Sequence, residues 1–274
     1  MAVTMADITH LRKMSGAGMM DCKKALEEAN NDFDKAMEII RKKGQAVAAK
    51  RSDREASEGC VLATENGDFA AVVALKCETD FVAKNADFVA LTQDILNAAM
   101  SNKPATKEEL LKMALSDGRS IENHITDRVG VTGEKMELGE YEYVKGASTV
   151  SYIHPGNKLA AIVAFNQELD HQVAREIAMQ VAAMNPVAVT PADVPQHVLD
   201  TEKQIARDKA LEAGKPENLL DRIAEGALQK FYKENTLLQQ EYVKDAKLTV
   251  EQYLQQQDKG LTVTAFKRVT LNVD

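Results

Sequence analysis

Apolar residues recur at helical spacing from the start of the chain. In ADITHLRKMSG, Ile8, Leu11 and Met14 follow one another at intervals of three before Gly16, the pattern of a short helix with a glycine stop. DCKKALEEAN sets Cys22, Ala25, Leu26 and Ala29 on one face, with Asp21 favourably placed near the helix start. NDFDKAMEIIRKKG does the same with Phe33, Ala36, Met37 and Ile40 and predicts a stop at Gly44. The expectation is a small three-helix bundle followed by a linker over 45–56.

The period then changes to that of strands. CVLATENGDFAAVVALKC (60–77) is two apolar runs about Asn66-Gly67, a hairpin signal because such a turn needs residues that tolerate positive φ. A helix-patterned stretch follows, DFVAKNADFVALTQDILNAAM. Later, STVSYIHPGNKLAAIVAF (148–165) is again two runs, now about Pro155-Gly156-Asn157, followed by the helical DHQVAREIAMQVAAM (170–184). The second runs of the two hairpins, AAVVAL and AAIVAF, match almost letter for letter, which predicts a duplicated lobe. KMELGEYEYV (135–144) and LTVTAFKRVTL (261–271) are the expected closing strands. The first lobe carries a short helical insertion at about 105–128.

The second lobe carries a longer insertion, 186–258. It opens on the proline-punctuated NPVAVTPADVPQ and continues as two helical patterns broken at Gly214-Lys215-Pro216. The second has a stripe of Leu220, Ile223, Ala224, Ala227, Leu228 and Phe231. An antiparallel helical hairpin over about 196–236 is expected, its helices packing on each other or on a second copy. The fold class is therefore α+β: a helical unit with a basic linker over 1–54, one sheet-plus-helix lobe over 55–146, and a second over 147–274 that includes the hairpin.

Composition narrows the function classes. With 45% hydrophobic and 28% charged residues, the 274-residue chain reads as an ordinary globular protein. No stretch approaches the run of about 20 apolar residues that spans a bilayer. The N-terminus lacks the character of a signal or transit peptide, so a cytoplasmic location is expected. Cys22, Cys60 and Cys77 are too few and too scattered for a disulfide framework, and no ligand spacing suggests a metal site or other cofactor. Residues 1–54 hold 11 Lys/Arg against 8 Asp/Glu, a net of +3, which leaves −11 of the total −8 on the remainder. An acidic body is a poor match for nucleic acid, and the basic run 41–54 reads as a solvated helix end and linker.

Catalytic signatures are missing. There is no GxxxxGK[ST] phosphate loop, GxSxG, HExxH or GxGxxG. Cys77, at the end of an apolar strand, reads as a buried thiol, and Asp80 has no second carboxylate at useful spacing. The chain is not expected to be an enzyme. Phe81, among charged and polar neighbours at a helix mouth, is either a staple onto its own sheet or a side chain aimed at another molecule.

Two stretches carry a resemblance. LRKMSGAGMMDCKKALEEANNDFDKA (11–36) is similar to the N-terminal signature of bacterial elongation factor Ts, and CETDFVAKNADF (77–88) to that family's second signature, in the family's order and separation. The likeness extends over the duplicated core, the hairpin and the closing strand. It implies a guanine nucleotide exchange factor that promotes GDP release from elongation factor Tu in translation, with a UBA-like three-helix N-terminal domain and a hairpin of dimerisation type. The partner would be elongation factor Tu, in its GDP-bound and nucleotide-free states, rather than nucleic acid or a membrane.

The same resemblance implies that Thr79, Asp80, Phe81 and Val82 push into the GTPase near its bound Mg²⁺. It implies contacts with the GTPase domain at Met19, Met20, Asp21 and Lys23, although either methionine could equally belong to the core of the small bundle. Val129 and Gly130 correspond loosely to a further family contact. His154 would lie near the phosphate side of the nucleotide, and Tyr242 and Val243 would reach another domain of the partner, with Lys244 standing where the family often has Met. The contact that some relatives make through a further helical tail is expected to be absent.

Overall fold

The computed structural model describes residues 2–271; Met1 and the chain end at Asp274 lie outside the described residues. Three helices open the chain: α1 (Met5–Ser15), α2 (Met19–Glu28) and α3 (Phe33–Arg51). Thr4 and Asp7 form a capping box on α1, and Gly16 closes it at φ 70°. Ile8, Leu11, Cys22, Ala25, Leu26 and Ala36 form the core of this unit, as the spacing predicts, whereas Met14 points outward.

Gly44 is not a stop. Helix α3 runs through it to Arg51, so most of the expected linker is helical. The reason lies in α7 (Ile121–Thr132), which crosses α3 at this point. A Cβ placed on Gly130 would come within 2.6 Å of Gly44 Cα, and one on Gly44 within 3.4 Å of Gly130 Cα. Both glycines serve backbone-to-backbone approach. Beyond the crossing, Val47 and Ala48 pack against the core of the first lobe. The basic run is thus half of a packed helix.

The first sheet comprises β1 (Glu58–Asn66), β2 (Phe69–Cys77) and β3 (Met136–Lys145), in the order β1-β2-β3 and antiparallel throughout. The β1–β2 loop is Gly67-Asp68, one residue later than expected: Asn66 pairs with Phe69, and only Gly67 has a left-handed φ, 62°. Between β2 and β3 lie α4 (Asp80–Ala83), α5 (Ala86–Asn102), α6 (Lys107–Lys112) and α7. The single helix expected after β2 is thus two, divided at Lys84-Asn85 because Asn85 caps the second by accepting from the Asp87 N–H.

The second sheet repeats the plan with β4 (Ser148–Ile153), β5 (Leu159–Phe165) and β8 (Val263–Thr270), in the order β4-β5-β8. Helix α8 (His171–Met184) follows β5. The hairpin comprises α9 (Gln196–Glu212) and α10 (Leu220–Asn235), which pack chiefly on each other. After it come a small ribbon, β6 (Glu241–Tyr242) and β7 (Asp245–Thr249), and α11 (Val250–Gln257), neither evident in the sequence pattern. No helix among the described residues is long and apolar enough to cross a membrane.

The matching runs occupy the two central strands, and each is buried on both faces. Along β2, Phe69, Ala71, Val73, Leu75 and Cys77 face the helices of the first lobe, while Ala70, Val72 and Ala74 face the other sheet. Along β5, Ala161, Val163 and Phe165 face α8, while Ala160, Ile162 and Ala164 face the first sheet. The sheets therefore meet through mostly small side chains, with helices on both outer faces.

The glycine crossing makes a paired prediction. Gly130→Ala forces a methyl into backbone and should destabilise the protein by about 1–3 kcal/mol, the usual cost of overpacking. Gly226→Ala, at an open position within α10, should stabilise it by up to about 1 kcal/mol through helix propensity. Urea denaturation measures both; equal and favourable shifts would show that α3 and α7 do not need the close approach.

Candidate functional site

Past Cys77 the chain leaves the sheet in a single tight turn. Thr79 caps α4, its hydroxyl accepting from the Val82 N–H at 3.4 Å, and Ala83 N–H returns to the Thr79 carbonyl at 3.1 Å. Val82 packs partly on the lobe core. Phe81 does not: it is 84% exposed, the most exposed large apolar side chain described. It is no staple. Asp80 pairs with Lys84 at 2.7 Å, and that hydrogen bond above all holds its carboxyl below the usual carboxylate range.

The turn is braced from behind. Thr79 donates its hydroxyl to Glu134 Oε1 at 2.7 Å and its N–H to Oε2 at 3.1 Å. Glu78 accepts the Lys135 N–H at 2.7 Å and pairs with Arg54 at 3.1 Å and Arg51 at 3.4 Å. The Lys135 bond foremost, with both guanidinium groups, keeps the Glu78 carboxyl low. The basic run thus ends on a carboxylate at the base of the turn. Sequence reading missed Glu78 and Glu134; continuing the pairing of the expected closing strand with β2 by two residues would have found them.

Cys77 lies just inside this turn, its thiol donating to the Thr79 carbonyl at 3.2 Å. Burial pushes the thiol up to about 12, so it is protonated and a poor nucleophile.

The loop bearing His154 stands at the same end of the molecule. Its ring is exposed and meets the Tyr152 hydroxyl at 3.0 Å. Lys158, four residues on, pairs with Glu58 at 2.7 Å and adds to the positive field at Asp80. The N-terminal helices approach from the other side. Arg128 of α7 reaches Asp87 at 3.3 Å and Asn85 at 3.4 Å, and its guanidinium lies beside the loop at Gly16. Just beyond that loop, Met19 and Met20 are 40% and 63% exposed and belong to no core. Asp21 pairs with Lys43 of α3, and Lys23 with Glu27 at 3.7 Å.

Three expected contact residues are turned elsewhere. Val129 is 3% exposed and part of the first lobe's core, and Gly130 is taken up by the crossing with α3. Of that segment, Glu134 and Lys135 reach the turn. Tyr242 is also 3% exposed: its ring stacks on Tyr253 at 4.1 Å, and its hydroxyl donates to Glu176 at 2.6 Å. Of the pair, only Val243 is presented outward.

Glu176 holds this ribbon. Lys244, at 2.6 Å, and then Tyr242 and Tyr253 bring its carboxyl down to about 2. A depressed carboxylate contributes stability that is full above its unfolded value of about 4.5 and is lost as pH falls towards about 2. The stability gap between the parent and Glu176→Gln should therefore be constant above pH 4.5 and shrink below it. The near-ultraviolet dichroism of the tyrosines, undisturbed because the chain has no tryptophan, can follow it. A gap that does not change with pH would discount these bonds.

Comparison with known proteins agrees with the signatures. The family model described as Elongation factor TS matches residues 78–272. The chain is 75% identical over 274 residues to an elongation factor Ts of Porphyromonas gingivalis, each chain being covered in full. It is 56% identical over 275 residues to that of Azobacteroides pseudotrichonymphae and 49% identical over 331 residues to that of Phocaeicola vulgatus, again with full coverage of both chains.

Proposed function

The chain belongs to the elongation factor Ts family of translation elongation factors, and we propose that it is the guanine nucleotide exchange factor for elongation factor Tu in the cytoplasm. The observation that carries this reading is Phe81, standing free on a capped and braced turn. Leaving so large an apolar side chain in water forgoes about 1.5–3 kcal/mol of burial, which a partner's apolar pocket can supply.

Phe81 enters between packed elements of the GTPase beside its Mg²⁺ site. Mg²⁺ requires near-octahedral coordination and, in P-loop GTPases, links the nucleotide phosphates to the protein, so a small displacement of its ligands weakens the hold on GDP. Asp80 competes for polar groups in the same region, while Thr79 and Val82 set the depth of entry. His154 approaches the phosphate side. Met19, Met20, Asp21 and Lys23 dock the nucleotide-binding domain, and Val243 reaches a second domain. Binding energy gained only in the opened complex raises the release rate by about one to two powers of ten from Phe81 alone. By linkage, GDP weakens binding of the factor as much as the factor weakens binding of GDP. Ile205 and Leu211 are exposed on α9, which leaves a homodimer through α9 and α10 compatible with this role.

Release of a fluorescent GDP from elongation factor Tu tests the reading. The parent should accelerate release, and Phe81→Ala should lose about ten- to a hundredfold of that acceleration. Acceleration undiminished in Phe81→Ala would remove the wedge and leave the exchange activity. No acceleration by the parent would leave a docking adaptor.

A further inference from the structure

We propose that Glu134, together with Glu78, positions the exchange turn by carrying the β2–β3 pairing beyond the last backbone bonds of the sheet. This rests on the reading of Thr79–Val82 as the segment that enters the GTPase. Cys77 pairs with Met136, so the next opposed residues are Glu78 with Lys135 and then Thr79 with Glu134. Here the chain bends towards α4, and the strands part. The Lys135 and Thr79 N–H groups lose their ladder partners, and the two carboxylates take their place, Glu78 accepting from Lys135 and Glu134 from Thr79. Each strand end contributes one carboxylate and one N–H. Glu134 also accepts a hydrogen bond from the Thr79 hydroxyl, which directs an oxygen lone pair towards the Val82 N–H. One carboxylate thereby fixes both the departure of the backbone from the sheet and the cap of the four-residue helix that bears Phe81.

A helix of one turn cannot hold itself in water, since nucleation costs more than a single hydrogen bond returns. The orientation of Phe81 depends on its cap and on Val82 and Ala83, which rest on the lobe core. Hydrogen bonds to a charged group contribute more than neutral ones, and this carboxylate makes two. Glu78 adds the link to α3 through Arg51, its last residue, and through Arg54 just beyond it, so the turn is anchored to the sheet and to the N-terminal helices together. Glu134 is a positioning residue, acting through Thr79 on Phe81.

The test is GDP release from elongation factor Tu at saturating and limiting concentrations of the factor. Glu134→Ala should lower the maximal rate by about tenfold, the weight of a charge-assisted bond. The concentration for half-maximal effect should move far less, because docking through Met19 and Met20 is untouched. Glu134→Gln, whose amide can accept from the Thr79 N–H and donate to its hydroxyl, should stay within about threefold of the parent. In a cycle with Phe81→Ala, the double variant should be no slower than Phe81→Ala alone. A general loss of structure would instead multiply the two effects and lower the melting temperature.

A maximal rate unchanged in Glu134→Ala, or multiplicative effects in the cycle, would overturn the proposal and leave exchange by the parent intact. No acceleration by the parent would overturn both. Should Glu134→Ala not fold, Thr79→Val removes the hydroxyl end of the same bond and takes its place in the cycle under the same expectation.

Discussion

Everything else in the core is arranged around the contact between the two sheets. Each central strand must satisfy a helix layer on one side and a sheet on the other, so neither β2 nor β5 has a wet face. The inner faces are held to alanine at Ala70, Ala74, Ala160 and Ala164, with Val72 and Ile162 between them. Larger residues there would hold the sheets apart, and the edge contacts between β1 and β4 and between β3 and β8 would open with them. Because the sheets are clamped in this way, their ends are fixed points. The turn bearing Phe81 leaves from one such end, at Cys77, and the His154 loop from another, and the Val61 N–H bonded to the Asn157 carbonyl at 2.7 Å joins the two lobes between them.

The turn itself combines an exposed apolar tip with a base secured by charge. Water-facing Phe81 and the ion-paired Asp80 and Lys84 share α4 and its C-cap, whereas Thr79, Glu78 and Glu134 behind them are bonded in several directions. Rigidity at the base and exposure at the tip serve the same end. A side chain that must do work on a partner loses part of its binding energy if its own backbone has to be ordered on arrival.

The parts of this arrangement that were legible in the sequence are those set by local period. The AAVVAL and AAIVAF runs announced matching strands of a duplicated lobe, and the hairpin stripe from Leu220 to Phe231 announced a helix packed along one side. The features that escaped were set by residues distant in the chain. Gly44 looks like a helix stop because glycine usually weakens helices, and only Gly130 across the interface shows why it is tolerated mid-helix. Met14 continues an apolar spacing yet finds no neighbour to bury it. Glu134 and Thr79 are 55 positions apart and meet only through strand register. Tyr242 reads as a contact residue, but Glu176 and Tyr253 draw it inward, and that pull comes from two helices whose approach no local pattern encodes.

Helix α3 has a mechanical consequence. At 19 residues it is a rod of about 28 Å, rooted in the N-terminal core at one end, pinned against α7 at its middle and tied to Glu78 at the other. Two docking surfaces on a flexible tether behave as separate ligands joined by an effective concentration, and the second pays an entropic toll that grows with tether length. A rod removes the tether. In the proposed complex, seating Met19 and Met20 would deliver Phe81 at a fixed distance and angle, so the two surfaces would engage as one rigid tool and the search for the second contact would be over before it began.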